Sequence, residues 1–152
     1  MNVTLYNTQK DLPISTESIE RLVLKLLKYL KITCDELIVH LVSEKKICLL
    51  HKKFFNDPTP TDCISFPIDS PHEKQTPPVI LGEVFICPKV AIQYAKKNQL
   101  DPYEEASRYL VHGTLHLLGY DDIEPDDRTK MRLKEDACVL FLKEKKCLLF
   151  LA

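Results

Sequence analysis

RYLVHGTLHLLGYDDIEPDD, Arg108 to Asp127, sets His112 and His116 four residues apart on an apolar stretch, with Gly119 three residues further on and Asp122 three beyond that. A helix turns once every 3.6 residues, so positions i and i+4 share a face with their side chains about one turn apart. Two imidazoles so placed can reach one divalent ion. Glycine tolerates the left-handed backbone that commonly ends a helix, so Gly119 can reverse the chain. The reversed chain can bring Asp122 back as a third ligand. Three protein ligands and an open position describe a catalytic zinc site rather than a closed structural one.

The helix carrying these residues begins upstream. Asp101 suits an N-cap, Pro102 the first helical position, and Glu104 and Glu105 complement the positive end of the dipole. Downstream, Glu124-Pro125-Asp126-Asp127 opens a last helix to about Lys146, with Met131, Leu133, Ala137, Leu140 and Phe141 read as its inward face. The tail Cys147–Ala152 (CLLFLA) is apolar and is expected to pack on the body as a helix end or an edge strand.

Before the histidine helix, strands alternate with helices. Val3–Tyr6, Leu37–Val42, Cys63–Pro67 and Leu81–Cys87 are rich in strand formers and bounded by polar or proline breaks. A helix capped by Ser15 or Thr16 buries Ile19, Leu22, Val23, Leu26, Leu27 and Leu30. Ser43 opens another, from about Glu44 to Phe55, and Val90 to Asn98 is a short third. Asn56–Asp62 is a turn-rich linker, and Asp69–Pro78 a polar loop with three prolines. The class is α+β: a single domain over residues 1–152, with the histidine helix central to one small sheet.

Composition excludes several classes. A formal net charge of −1 over 152 residues argues against a uniformly basic nucleic-acid coat, though a local patch remains open to it. No stretch approaches the ~18 apolar residues of a membrane span. The N-terminal MNVTLYNTQKDLP is polar-interrupted and unlike a secretory leader. Six scattered cysteines form no C-x-x-C pair, so they read as reduced thiols of a cytoplasmic protein. Three glycines cannot make a phosphate loop or a dinucleotide fingerprint.

Zinc peptidases of the H-E-x-x-H type carry a glutamate base directly after the first histidine; Gly113 stands there in this chain. A general base must come from elsewhere, and Asp62, Glu83, Asp121 and Asp126 are the candidates. His51 is a fallback metal ligand if its helix reaches the cleft, and His72 lies in the polar loop. Ser65, Arg108 and Lys89 are candidates for substrate contact, with Lys52, Lys53, Lys96, Lys97 and Arg128 further cations.

Three segments resemble the YbeY family of metal-dependent endoribonucleases. HGTLHLLGYDD, His112 to Asp122, is similar to its signature H-G-x-L-H-L-x-G-Y-D-H at ten of eleven positions. Pro60–Pro67 resembles P-T-D-V-L-S-F-P, and Leu81–Cys87 resembles L-G-D/E-I-x-I-C/S. The likeness runs in order over roughly residues 35 to 145. It implies a four-stranded mixed sheet, one zinc ion per chain in a cleft beside it, and cleavage of single-stranded RNA. It further implies maturation of the 16S ribosomal RNA 3′ end and ribosome quality control in the bacterial cytoplasm. The implied partners are ribosomal RNA and the small subunit or its assembly factors, with no membrane partner; the oligomeric state stays open.

Two positions depart from the family. Asp122 replaces a third histidine; aspartate is a legitimate zinc ligand, and a two-histidine, one-carboxylate set also suits iron(II) or another divalent metal. Phe55 replaces an arginine, which leaves it to stack on an unpaired base or, the reading favoured here, to pack in the core. The alternative functions are a non-catalytic ribosome-assembly factor with a weakened metal site, and a zinc peptidase-like hydrolase.

Overall fold

A computed structural model describes residues 1–73 and 76–152; within the expected Asp69–Pro78 loop, Lys74 and Gln75 lie outside the described residues. Four strands, β1 (Asn2–Asn7), β2 (Glu36–Leu41), β3 (Cys63–Pro67) and β4 (Ile80–Ile86), form one sheet in the order β1-β2-β4-β3. The pairs β1–β2 and β2–β4 are parallel and β3–β4 is antiparallel, so the sheet is mixed as the resemblance implies. The helices are α1 (Thr16–Tyr29), α2 (Glu44–Phe55), α3 (Pro88–Asn98), α4 (Pro102–Leu117) and α5 (Pro125–Glu144).

Sequence chemistry explains these limits. Ser15 caps α1 by accepting from the Ser18 N–H, Ser43 caps α2 from Lys46, and Asp101 caps α4 from Tyr103. Pro88, Pro102 and Pro125 each stand in a first turn, where a missing N–H costs nothing. Strand β2 alternates half-buried and buried positions, the period-two signature of a sheet whose two faces differ.

One face carries the main core. Leu37, Val39 and Leu41 of β2 and Val84 and Ile86 of β4 pack with Leu22 and Leu26 of α1, Leu110 and Leu115 of α4, and Met131 and Leu142 of α5. Helix α4 lies so close to the strands that a Cβ at Gly113 would come within 2.5 Å of Val84 Cγ1 and 2.6 Å of Cys63 Sγ. The opposite face is covered only in part, where Ile47 of α2 packs with Val42, Ile64 and Cys87.

Three expectations need correction. The inward face of α5 is Met131, Glu135, Cys138, Val139 and Leu142, whereas Leu133, Ala137 and Leu140 are exposed. Phe55 is also exposed rather than in the core. The tail is neither helix nor strand: Cys147 and Leu149 are buried, the Leu149 N–H donates to Ser107 Oγ at 2.9 Å, and Phe150 O accepts from the Ser15 N–H. All six cysteines are free thiols. Among the described residues no helix is long and apolar enough to cross a membrane.

Candidate metal centre

His112 and His116 project from one face of α4, with their Nε2 atoms 3.1 Å apart. The helix ends at Leu117, with Leu118 as its C-cap. Gly119 then adopts φ +98°, with nothing within 4 Å of a Cβ built there, so its requirement is conformational rather than steric. The turn carries Asp122 back until its Oδ2 lies 3.6 Å from both Nε2 atoms. Two further groups hold this turn: Asp121 Oδ1 accepts from the Ile123 N–H at 3.1 Å, and Arg128 donates to the carbonyls of Asp122 and Ile123.

The other ring nitrogens decide which atoms face inward. His116 Nδ1 bonds the Tyr120 carbonyl at 3.0 Å; a carbonyl only accepts, so this nitrogen carries the proton. His112 Nδ1 bonds the Glu135 carboxylate at 2.6 Å, and Arg108 holds Glu135 in turn at 2.6 Å. Both imidazoles, when neutral, therefore direct Nε2 lone pairs at one another and at a carboxylate oxygen. Such a cluster is repulsive without a cation among its members. Tetrahedral zinc with bonds of ~2.0–2.2 Å requires ligand atoms ~3.3–3.6 Å apart. The three separations match that to within a few tenths of an ångström, so the residues present fit a divalent ion.

The sequence matches the family described as endoribonuclease YbeY over residues 4–143. The chain belongs to that family. A protein of Protochlamydia amoebophila (strain UWE25) named endoribonuclease YbeY is 48% identical over 129 residues, 85% of each chain. One of the same name from Chlamydia felis (strain Fe/C-56) is 46% identical over 145 residues, 93% of this chain and 91% of its own. The solution structure of a Thermotoga maritima protein is similar in fold, with a TM-score of 0.62 at 26% identity over 91% of this chain and 87% of that one.

Two cavities flank the triad of this YbeY-family chain. One, of about 440 Å³, is lined by His112 and Asp122 together with Asp62, Glu105, Glu135, Arg128 and Arg132. The other, of about 470 Å³, is lined by His116 and Asp122 with His51, Phe55, Thr61, Ser65 and Ile123. Burial works against a charged His112, yet the Glu135 hydrogen bond and charge outweigh it and hold its pKa above the ordinary 6.5. Glu135 is correspondingly held low despite its own burial, because His112 and Arg108 both bond it. Desolvation pushes the Glu105 carboxyl up, with Arg108 opposing. Burial likewise pushes the Cys63 thiol well up, so it stays protonated under Gly113.

The residues singled out in the sequence are thus divided. Asp62 lies in the first cavity. Asp121 shapes the ligand turn through its bond to Ile123, and Asp126 is an exposed first-turn residue of α5. Glu83 does not join the group: it points to the opposite face of the sheet from Val84, and its Oε1 bonds His40 Nε2 at 2.9 Å. Ser65 Oγ donates to the Gly113 carbonyl at 2.8 Å, tying β3 to α4 beside the second cavity. Arg108 is engaged by Glu135 and Asp136, and Arg128 by the turn carbonyls. Lys89 pairs with Asp11 at 4.0 Å and lines neither cavity.

His51 does reach the second cavity, but its Nδ1 bonds the Thr59 carbonyl at 2.7 Å and it is not part of the triad. His72 is exposed in its loop. Two residues beside the triad are not singled out by sequence reasoning. Glu135 was detectable in principle, as a carboxylate on the apolar i, i+4, i+7 stripe of Met131, Cys138 and Leu142. Arg132 had no such signal; it lines the first cavity and makes no ion pair among the described residues.

Proposed function

We propose that this chain is a metal-dependent endoribonuclease that cleaves single-stranded RNA, acting in 16S ribosomal RNA 3′-end maturation and ribosome quality control in the bacterial cytoplasm. Its partners in that role are ribosomal RNA and the small subunit or its assembly factors. The observation that carries the reading is the convergence of two histidine Nε2 atoms and one carboxylate oxygen at near-tetrahedral spacing in a family named for endoribonuclease activity.

His112, His116 and Asp122 hold one divalent ion, zinc in this proposal with iron(II) the competitor. A bound ion there supplies Lewis acidity toward a phosphoryl oxygen and makes water easier to deprotonate. The protein does the rest. Glu135 and the Tyr120 carbonyl fix the ring orientations, and Arg108 fixes Glu135. Asp62, a carboxylate in the same cavity, takes the proton of the attacking water. Arg132, which makes no ion pair among the described residues, binds an RNA phosphate. A peptidase mechanism is disfavoured because the position after His112 is pressed against Val84 and Cys63 and has no room for a glutamate.

The test is gel-resolved cleavage of a single-stranded RNA and its duplex control, with elemental mass spectrometry of the same preparation. About one zinc per chain, single-strand cleavage, and loss of both in His116→Ala are expected. A metal-loaded protein that leaves single-stranded RNA intact would overturn the nuclease reading, and iron in place of zinc would overturn the metal assignment.

A further inference from the structure

Phe55 is the last residue of α2, where Asn56 ends the helix in a left-handed cap with φ 55°. The residue is 57% exposed, and its ring meets that of His51, tilted at 5.8 Å. Phe54 beside it differs, since it meets Phe66 edge-on at 4.8 Å and belongs to the far face of the sheet. Phe55 instead borders the cavity that contains His116 and Asp122. Ile123, the residue after Asp122, borders the same cavity and is 73% exposed. An aromatic face and an aliphatic wall thus stand open beside the metal triad, with the hydroxyl-bearing residues Thr61 and Ser65 on the rim.

The chemistry of the two cavities divides a nucleotide between them. Arg132 lies on the Asp62 side with no ion pair among the described residues, whereas no arginine or lysine lines the Phe55 side among them. A phosphate belongs with the first. A flat, uncharged, partly apolar group belongs with the second, and a cavity of about 470 Å³ is of small-ligand size. We propose that the Phe55 cavity holds an unpaired nucleobase of single-stranded RNA, stacked on the Phe55 ring and walled by Ile123, next to the phosphate presented to the triad. This deepens the nuclease reading and rests on it. Every base has a π-face, so the stacking is tolerant of sequence, and it requires a base free of its partner strand. A base inside a duplex cannot enter, which makes this cavity a source of single-strand selectivity.

The experiment uses the metal-loaded chain and short RNAs with 2-aminopurine at each position in turn, followed by stopped-flow fluorescence before cleavage. Stacking is expected to quench the probe at the position adjoining the cleaved bond. Phe55→Ala should remove that quench and raise KM about tenfold, with kcat changed less than about twofold, as expected for losing one stacked base. Phe55→Tyr should retain both the quench and the wild-type KM. Phe55→Leu keeps the bulk without the π-face and should behave as Phe55→Ala. A quench that survives in Phe55→Ala, or a Phe55→Leu protein as good as Phe55→Tyr, would overturn the stacking site. Cleavage without any Phe55-dependent quench would leave the nuclease reading standing and remove this one. A Phe55-dependent quench without cleavage would do the reverse.

Discussion

His112 and His40 each bond a carboxylate, at 2.6 Å to Glu135 and 2.9 Å to Glu83, from opposite faces of the same sheet. Their surroundings separate them. The His40 ring lies between Tyr6 and Phe85, with centroids 5.1 and 4.0 Å away, so its partners are aromatic faces. The ring of His112 meets His116 edge-on and turns its Nε2 toward a second imidazole and Asp122. A histidine–carboxylate pair becomes a candidate metal site only when the second nitrogen has other donors converging on it. Fold position supplies that difference: α4 and its turn bring three donors to one point, whereas a strand interior offers only neighbours above and below.

The largest effect that would break this comparison is on metal content. His116→Ala should lose essentially all bound metal and with it RNA cleavage, whereas His40→Ala should keep full metal occupancy; elemental mass spectrometry on both proteins reads the contrast. Loss in both would mean the two sheet faces are not independent. Next in size, Asp122→Ala should lower occupancy much more than Asp121→Ala, because Asp121 bonds the turn at Ile123 and is not among the three converging donors. Equal losses would show the wrong carboxylate has been chosen.

A smaller change is expected behind the ligands. Glu135→Gln should weaken metal affinity about tenfold, the low end of the effect of a carboxylate behind a ligand histidine, and Glu83→Gln should leave it unchanged. Competition with a chromogenic chelator measures both. The smallest effect is on pH. In the metal-free chain His112 is held above 6.5, so its proton competes with the ion. Affinity should fall as pH drops through a value above 6.5, and that midpoint should move down in Glu135→Gln. The same shift stabilises the metal-free fold below pH 6.5 and is lost as pH rises through the raised value. The unfolding-temperature gap between wild type and Glu135→Gln, measured in chelator, should therefore be widest below pH 6.5 and narrow as pH rises through the raised value.

Much of this arrangement was legible because its geometry is local. Asp101, Pro102 and Gly119 marked the ends of α4, and the i, i+4 spacing set His112 and His116 on one face. The reading of α5 failed for a definite reason: its inward stripe holds a glutamate, so Leu133 and Leu140 looked like better core residues than they are. Phe55 was misjudged on the same ground, since hydrophobicity favours burial but does not say whether the fold provides a place for it.

By itself, then, the sequence determined the order of strands and helices, the three convergent donors within eleven residues, and the family, since each depends on contacts or spacings along the chain. Tertiary structure alone decided that Glu135, twenty-three residues beyond His112, would support that histidine. It likewise moved Glu83 to the far face, committed Arg108 to an ion-pair network, and opened Phe55 onto the cavity beside His116. Those outcomes depend on how separate elements pack, and the periodicity of one element carries no information about the neighbour it will meet.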